Sequence, residues 1–296
     1  MDNSLPRRTY FRATSDFGFK KLFATHGNEP LLIQLLNSVI PGKHITEVTL
    51  LDKEHRINAD TFAVFDVYCR CDDGERFIVE MQKRSYGQFM NRALAYSALA
   101  ILDQAYRKWD YDFDKVYFVG ILNYVHFPKR TGPFTYVALQ SIDDHTVIND
   151  NYLQIFVELP KLASDGKAVG AEGFLRAVRD IGKTDVRPEE FEGKEYDPLF
   201  RAANCRTLDK DELKKYETEM TTEDDTREWL EHELELTRQT ALAEGRAEGE
   251  AKGRAEGEAK GRETLLETAR RMLAEGLSKE IVIRCTGLSP EEIAGL

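Results

Sequence analysis

The stretch Phe65–Gln82, FDVYCRCDDGERFIVEMQ, decides how the chain is built. The runs Thr61–Cys71 and Phe77–Met81 are rich in β-branched and aromatic residues, which predicts two strands. Asp72-Asp73-Gly74 between them reads as a three-residue hairpin loop, with Gly74 where a left-handed residue is needed. That loop sets Cys71 against Glu75, and counting outward sets Asp66 against Glu80. Opposed residues share a sheet face, with Cβ atoms about 5 Å apart, and the period of two places Gln82 beside Glu80. A two-residue Asp-Gly loop would instead set Asp66 against Met81 and disperse the group.

Opposed carboxylates repel unless a cation lies between them. Mg²⁺ or Mn²⁺ turns the repulsion into binding, with carboxylate oxygens at about 2.0–2.1 Å. Asp66 and Glu80 are therefore candidate catalytic metal ligands, and the backbone carbonyl of Met81, pointing sideways from its strand, is a candidate third. Gln82 is placed to hydrogen-bond an attacking water or a phosphate oxygen.

Asp66 followed after a hairpin by Glu80-Met81-Gln82 resembles the PD-(D/E)XK nuclease signature in its E-x-Q form. The opening Thr14–Phe23, TSDFGFKKLF, and a helix bearing Arg92 and Tyr96 narrow this to a resemblance to the PD-(D/E)XK transposase-like family, whose members include recombination-promoting nucleases. The resemblance covers about residues 9–220. It implies an α/β fold with a restriction-endonuclease-like core, a mixed central sheet flanked by helices, and here a helical C-terminal extension. It also implies a Mg²⁺- or Mn²⁺-dependent DNA endonuclease of low sequence specificity, linked to recombination or mobile elements. The chain departs from the pattern in having no Pro before Asp66, and Gln82 where Lys is usual. Lys20 or Lys83 would have to supply the missing positive charge. Strand alternation aims Lys83 away from the Glu80 face, which favours Lys20.

Asp16 and Lys20 lie one helical turn apart. The resemblance implies that Asp16 approaches the metal; the plainer alternative is that it complements its helix N-terminus and pairs with Lys20. After Gln82 a helix is expected over about Tyr86–Lys108, with Met90, Leu94, Ser97 and Ile101 as its core face. Gln88, Arg92 and Tyr96 line another face. For Arg92 and Tyr96 the resemblance implies contact with substrate phosphates, whereas Gln88 reads as solvated. The competing function is a catalytically inactive nuclease fold serving as an assembly or DNA-tethering module, favoured by the missing lysine and the overall acidity.

The net charge of −11 is uneven. Residues 141–236 carry 13 Lys/Arg against 25 acids, whereas 76–130 carry nine against five. The surroundings of the site are thus mildly basic, compatible with weak, salt-sensitive contact with a phosphate backbone. No run of 18 apolar residues occurs, so no membrane span is expected, and the N-terminus has no apolar signal-peptide core. Cys69, Cys71, Cys205 and Cys285 show no CxxC spacing and read as plain thiols, in keeping with a reducing cytoplasm.

Elsewhere the pattern predicts a helix starting at Thr14 or Ser15, and a second one capped by Asn28 that buries Leu31, Leu32, Leu35, Leu36 and Val39. A strand follows near Ile45–Leu51, and His55, Arg56 and Asp60 read as loop. Lys115–Val125 reads as a strand buried on both faces. Phe134–Leu139 and Leu153–Leu159 read as two more strands, and the turn acids Asp143 and Asp144 with His145 as solvated. The nuclease-like domain is expected over 1–220. A charged helix and linker follow over 221–262, containing GRAEGEAK twice in succession (245–260). Five glycines at about 1 kcal/mol each outweigh four Glu-to-basic i, i+4 pairs at about 0.3–0.5 kcal/mol each. A solvated linker is therefore preferred to a helix–helix association surface between subunits. Residues 263–296 read as a small helix-turn-helix-like unit, with Ser289-Pro290 and Glu292 forming a capping box. It carries few basic residues, so a protein-docking unit and a DNA reader stand level. DNA is the expected partner, together with a homo-oligomer through these C-terminal helices.

Overall fold

The computed structural model describes residues 8–56, 62–85, 87–105, 112–164 and 169–296. Asp60, Thr61, Tyr86 and Lys108, where the sequence sets element ends, lie outside the described residues. Contacts divide the chain into two units, Met1–Thr221 and Thr222–Leu296.

The first unit opens with α1 (Asp16–Phe23) and α2 (Glu29–Val39). Ser15 caps α1, its Oγ accepting from the Gly18 N–H at 2.8 Å. Gly18 is required here because a Cβ would lie 2.0 Å from the Arg12 carbonyl oxygen. Asn28 sits at the start of α2 but makes no cap bond; its amide donates instead to the Lys21 carbonyl. The five apolar residues expected to be buried along α2 are buried.

Next come β1 (Val48–Leu50), β2 (Glu54–Arg56), β3 (Phe62–Val64), β4 (Val67–Cys71) and β5 (Arg76–Gln82). The loop between β4 and β5 is the three-residue one. Gly74 has φ +94°, the Cys71 N–H donates to the Glu75 carbonyl, and the ladder runs from Arg70↔Arg76 to Val67↔Val79. Two expectations fail just upstream. The first strand is not continuous from Thr61 but breaks at Phe65–Asp66, and the His55–Arg56 region is a strand, β2, paired with β3 in a separate two-stranded sheet. The cause is visible in the ladder. Cys71/Glu75 is a hydrogen-bonded pair, so Phe65/Met81 would be another, but the Phe65 N–H turns away to the Lys53 carbonyl at 2.9 Å.

The unit continues with α3 (Phe89–Ala105), β6 (Val116–Leu122), β7 (Phe134–Gln140), β8 (Val147–Glu158), α4 (Gly170–Asp180) and α5 (Asp197–Ala202). The main sheet has six strands in the order β1-β4-β5-β6-β8-β7. Its centre, β5-β6-β8, is parallel and its flanks are antiparallel. All seven residues of β6 are buried. Tyr117, Val119 and Ile121 face the layer of α1, α2, α4 and α5, while Val116, Phe118 and Leu122 face α3. This is the period-two division of a sheet covered on both sides.

α3 matches the expected core face only in part: Ser97 is buried and Met90 and Ile101 are half-buried against the same layer, but Leu94 is not. Phe89, Ala93, Ser97, Ala100 and Gln104 are buried, while Leu94 is 58% exposed. Ala93, Ser97 and Ala100 let the helix backbone lie close on the sheet. A stripe through Leu94 would hold it further off.

α6 (Lys210–Ala274) is helical through both copies of the repeat, where a linker was preferred. Once a helix is nucleated, each added residue gains a hydrogen bond, so a segment continued from helix on either side needs no nucleus of its own. Among the described residues, nothing outside the helix lies within 4 Å of where a Cβ on each repeat glycine would stand.

In the second unit, α6 ends in a Schellman motif. Gly276 has φ +83°, Gly276 N–H donates to Leu273 O and Leu277 N–H to Met272 O. Then α7 (Lys279–Thr286) and α8 (Pro290–Ala294) pack around Ala269, Val282, Leu288 and Ile293. The capping box forms in full: Ser289 Oγ accepts from Glu292 N–H and Glu292 Oε2 from Ser289 N–H. Ser278, at the start of α7, makes no such bond. Among the described residues, no helix is long and apolar enough to cross a membrane.

Candidate functional site

Loss of the Phe65 partner leaves the backbone of Met81 facing the gap beside Asp66. Two hydrogen bonds then pin the acids reciprocally. The Asp66 N–H donates to Glu80 Oε1 at 2.9 Å, and the Met81 N–H donates to Asp66 Oδ2 at 3.0 Å. N–H and C=O of one strand residue point the same way, so the Met81 carbonyl also opens toward Asp66. Each carboxylate thus spends one oxygen on the backbone and keeps the other.

Those second oxygens meet cations. Asp66 Oδ1 lies 3.2 Å from Lys20 Nζ, and Glu80 Oε2 lies 3.9 Å from Arg92 Nη2. Asp66, Glu80 and Gln82 are all buried or nearly so. Burial, then the charge of Asp66, pushes the Glu80 carboxyl above the usual carboxylate range, against the pull of the Asp66 amide, Arg92 and Lys20. For Lys20, burial lowers the pKa, but the bond to Asp16 and the charge of Asp66 outweigh it and hold the ammonium above its ordinary value.

Asp16 stands at the rim, 60% exposed, with Oδ1 accepting from Lys20 Nζ at 2.7 Å. The guanidinium of Arg92 lies 5.5 Å from the Phe89 ring centroid and 5.8 Å from that of Tyr96. Its Nε and Nη2 are buried, with no hydrogen-bond acceptor among the described residues. The Tyr96 ring packs on Phe65 at 4.9 Å, and its hydroxyl pKa is raised by burial and then by Glu80. Gln88 is exposed. An open cleft of about 370 Å³, lined by Leu51, Asp52, Lys53 and Tyr68 among others, reaches the group at Asp66. The structure therefore gathers Asp66, Glu80, Gln82, Lys20 and Arg92 at one end of the hairpin and leaves Asp16 and Gln88 outside.

Lys83 is paired with Glu219 of α6, a residue that no sequence signal marked. The only trace is the spacing of Glu212, Tyr216 and Glu219 along one helix face. At the other end of the hairpin Cys71, Asp72 and Asp73 also lie close together. There the Cys71 thiol already donates to Asp73 Oδ1 at 2.6 Å, and Lys43 Nζ, bonded to Asp73, supplies the positive charge.

A mixed six-stranded sheet flanked by helices, with an Asp and an E-x-Q motif joined across a hairpin, defines a restriction-endonuclease-like PD-(D/E)XK nuclease domain. Nucleases of this class generally use divalent metal ions. The chain belongs to the PD-(D/E)XK nuclease family transposase, whose model matches residues 13–233. Residues 262–296 match the C-terminal HTH domain of the Rpn/YhgA-like nuclease family. No curated protein and no solved structure matches the chain.

Proposed function

We propose that the chain is a metal-dependent DNA endonuclease of low sequence specificity, acting in recombination or on mobile elements. The observation that carries this reading is the reciprocal pinning of Asp66 and Glu80. It holds two buried carboxylates together, each with its second oxygen off the backbone and facing a cationic side chain, beside the Met81 carbonyl. This all-oxygen donor set fits Mg²⁺ or Mn²⁺, and the Glu80 pKa, raised first by burial and then by the charge of Asp66, marks a carboxylate that a cation would help to ionise. When bound, a divalent ion lowers the pKa of coordinated water and offsets charge on the scissile phosphate.

The chain's own residues do the rest. Asp66, Glu80 and the Met81 carbonyl hold the ion. Gln82 orients water or a phosphate oxygen. Lys20 stays protonated, so it contributes positive charge rather than accepting a proton, and it stands where the usual lysine is missing. Arg92, its side chain 37% exposed, brings positive charge toward a phosphate oxygen, and its guanidinium is steadied between Phe89 and Tyr96. Asp16 keeps Lys20 in place and is a ligand only if Lys20 moves aside. The C-terminal unit retains DNA, and the C-terminal helices join copies of the chain. Four free cysteines suit a reducing cytoplasm.

The Lys20–Asp66 pair favours the alternative, a nuclease fold kept for assembly or DNA tethering, because it neutralises Asp66 without a metal. Nicking of supercoiled plasmid in Mg²⁺, Mn²⁺ or EDTA decides between them, together with Mn²⁺ titration of the wild type and Asp66→Asn. Metal-dependent nicking lost in both Asp66→Asn and Glu80→Gln is expected. Full activity in either folded variant would remove the site, and absence of Mn²⁺ binding in the wild type would leave the tether.

A further inference from the structure

α1 starts with more N–H donors than its own capping residue can satisfy. Ser15 takes the Gly18 N–H, but those of Asp16 and Phe17 are taken by Glu219, 203 and 202 positions away, at 2.8 and 2.9 Å. The same carboxylate is paired with Lys83, the residue after Gln82. Glu219 therefore joins the helix that carries Lys20 to the end of the strand that carries Glu80. Two more residues on that face of α6 reinforce the join. Glu212 pairs with Lys21, and Tyr216 Oη accepts from the Arg12 N–H at 3.1 Å.

We propose that Glu219 is a positioning residue: it seats α1 so that Lys20 meets Asp66, and it ties that seat to Lys83, which strand alternation has already turned away from the Glu80 face. A carboxylate at a helix N-terminus complements both the orphan donors and the dipole. Its partner Lys83 is 26% exposed and Glu219 itself 20%, so solvent screens the pair less than an open surface pair. Glu219→Gln has nearly the same shape but offers one acceptor oxygen where two are used, and its amide cannot neutralise Lys83.

The catalytic meaning of this inference rests on Asp66 and Glu80 being the centre, but its test does not. Lysine acylation of the full chain, metal-free and read by mass spectrometry, compares wild type, Glu219→Gln and Glu219→Ala. Lys43, held by Asp73 and Glu75 at the other end of the hairpin, serves as internal control. Labelling of Lys20 and Lys83 should rise roughly tenfold, equivalent to about 1.4 kcal/mol of local hold, with Lys43 unchanged. The kcat for plasmid nicking should fall with KM for DNA unaltered. A rise at Lys83 alone, or at neither lysine, overturns the seating of Lys20. A rise at all three lysines makes Glu219 an ordinary stability contact and overturns it as well. If Asp66→Asn nicks normally, the centre is misplaced, and the labelling pattern still reports what Glu219 holds.

Discussion

Replacing Asp66 by Asn and by Ala should separate its two roles. Asp66 Oδ2 accepts the buried Met81 N–H at 3.0 Å, and Oδ1 faces Lys20 at 3.2 Å. Asn keeps an acceptor for the amide, but it turns an NH2 group toward Lys20 and so loses one acceptor together with the charge. Lys20 retains Asp16 at 2.7 Å, so that loss is small, and the repulsion felt by Glu80 is relieved. Ala leaves the amide without an acceptor, which costs about 1–3 kcal/mol. For a domain of this size each kcal/mol shifts Tm by about 2–4 °C. The metal-free Asp66→Ala protein should therefore melt roughly 2–12 °C below Asp66→Asn, while the latter stays near wild type. Mn²⁺ should raise the wild-type Tm by mass action and move neither variant, and neither should nick plasmid. Thermal melts with and without Mn²⁺, read beside the nicking assay, check all of this. Coincident melts for Asn and Ala would show that Asp66 does not hold the Met81 amide. A metal-induced rise in Asp66→Asn matching the wild type would show that the charge of Asp66 is not needed to bind the ion.

The raised Glu80 pKa has a defined sign. Above the ordinary glutamate range the folded protein binds a proton that the unfolded chain has released, so metal-free stability should fall as pH rises from that range toward the elevated folded value. Glu80→Gln should flatten this slope in melts across pH, and an unchanged slope would locate the titration elsewhere. Since metal binding needs the carboxylate, Mn²⁺ affinity should climb over the same window, with proton uptake by the buffer measurable by calorimetry. Gly74→Val places a β-branched residue at φ +94°, with its Cβ 2.8 Å from Asp114 Oδ2. A loss of roughly 1–3 kcal/mol is expected in denaturant melts, and wild-type stability would contradict the turn geometry. Deleting residues 243–296 should leave a folded first unit that binds Mn²⁺ but retains DNA less well in a salt-dependent shift assay. Insolubility or loss of Mn²⁺ affinity would mean that the tail belongs to the first unit.

Much of the molecule was legible in the sequence, and the legible parts share a cause. The hairpin register, the doubly covered β6 and the capping box at Ser289 all follow from backbone chemistry within a few residues. A glycine where φ is positive, a period of two, and a cap three residues before its partner need no knowledge of what packs nearby. The juxtaposition of Asp66 and Glu80 was within reach for that reason alone. Tertiary structure decided the rest. Whether β4 continued past Asp66 depended on Lys53 offering a carbonyl to Phe65, and that departure is what turns the Met81 backbone toward the acids. Which stripe of α3 was buried depended on how closely the helix could lie on the sheet, so small residues displaced Leu94 although it is the more hydrophobic. Strand alternation favoured Lys20, but how α1 is seated to bring it to Asp66 depended on a glutamate some 200 positions away. These choices compare contacts between segments distant in the chain, and such energies have no signature in any one segment.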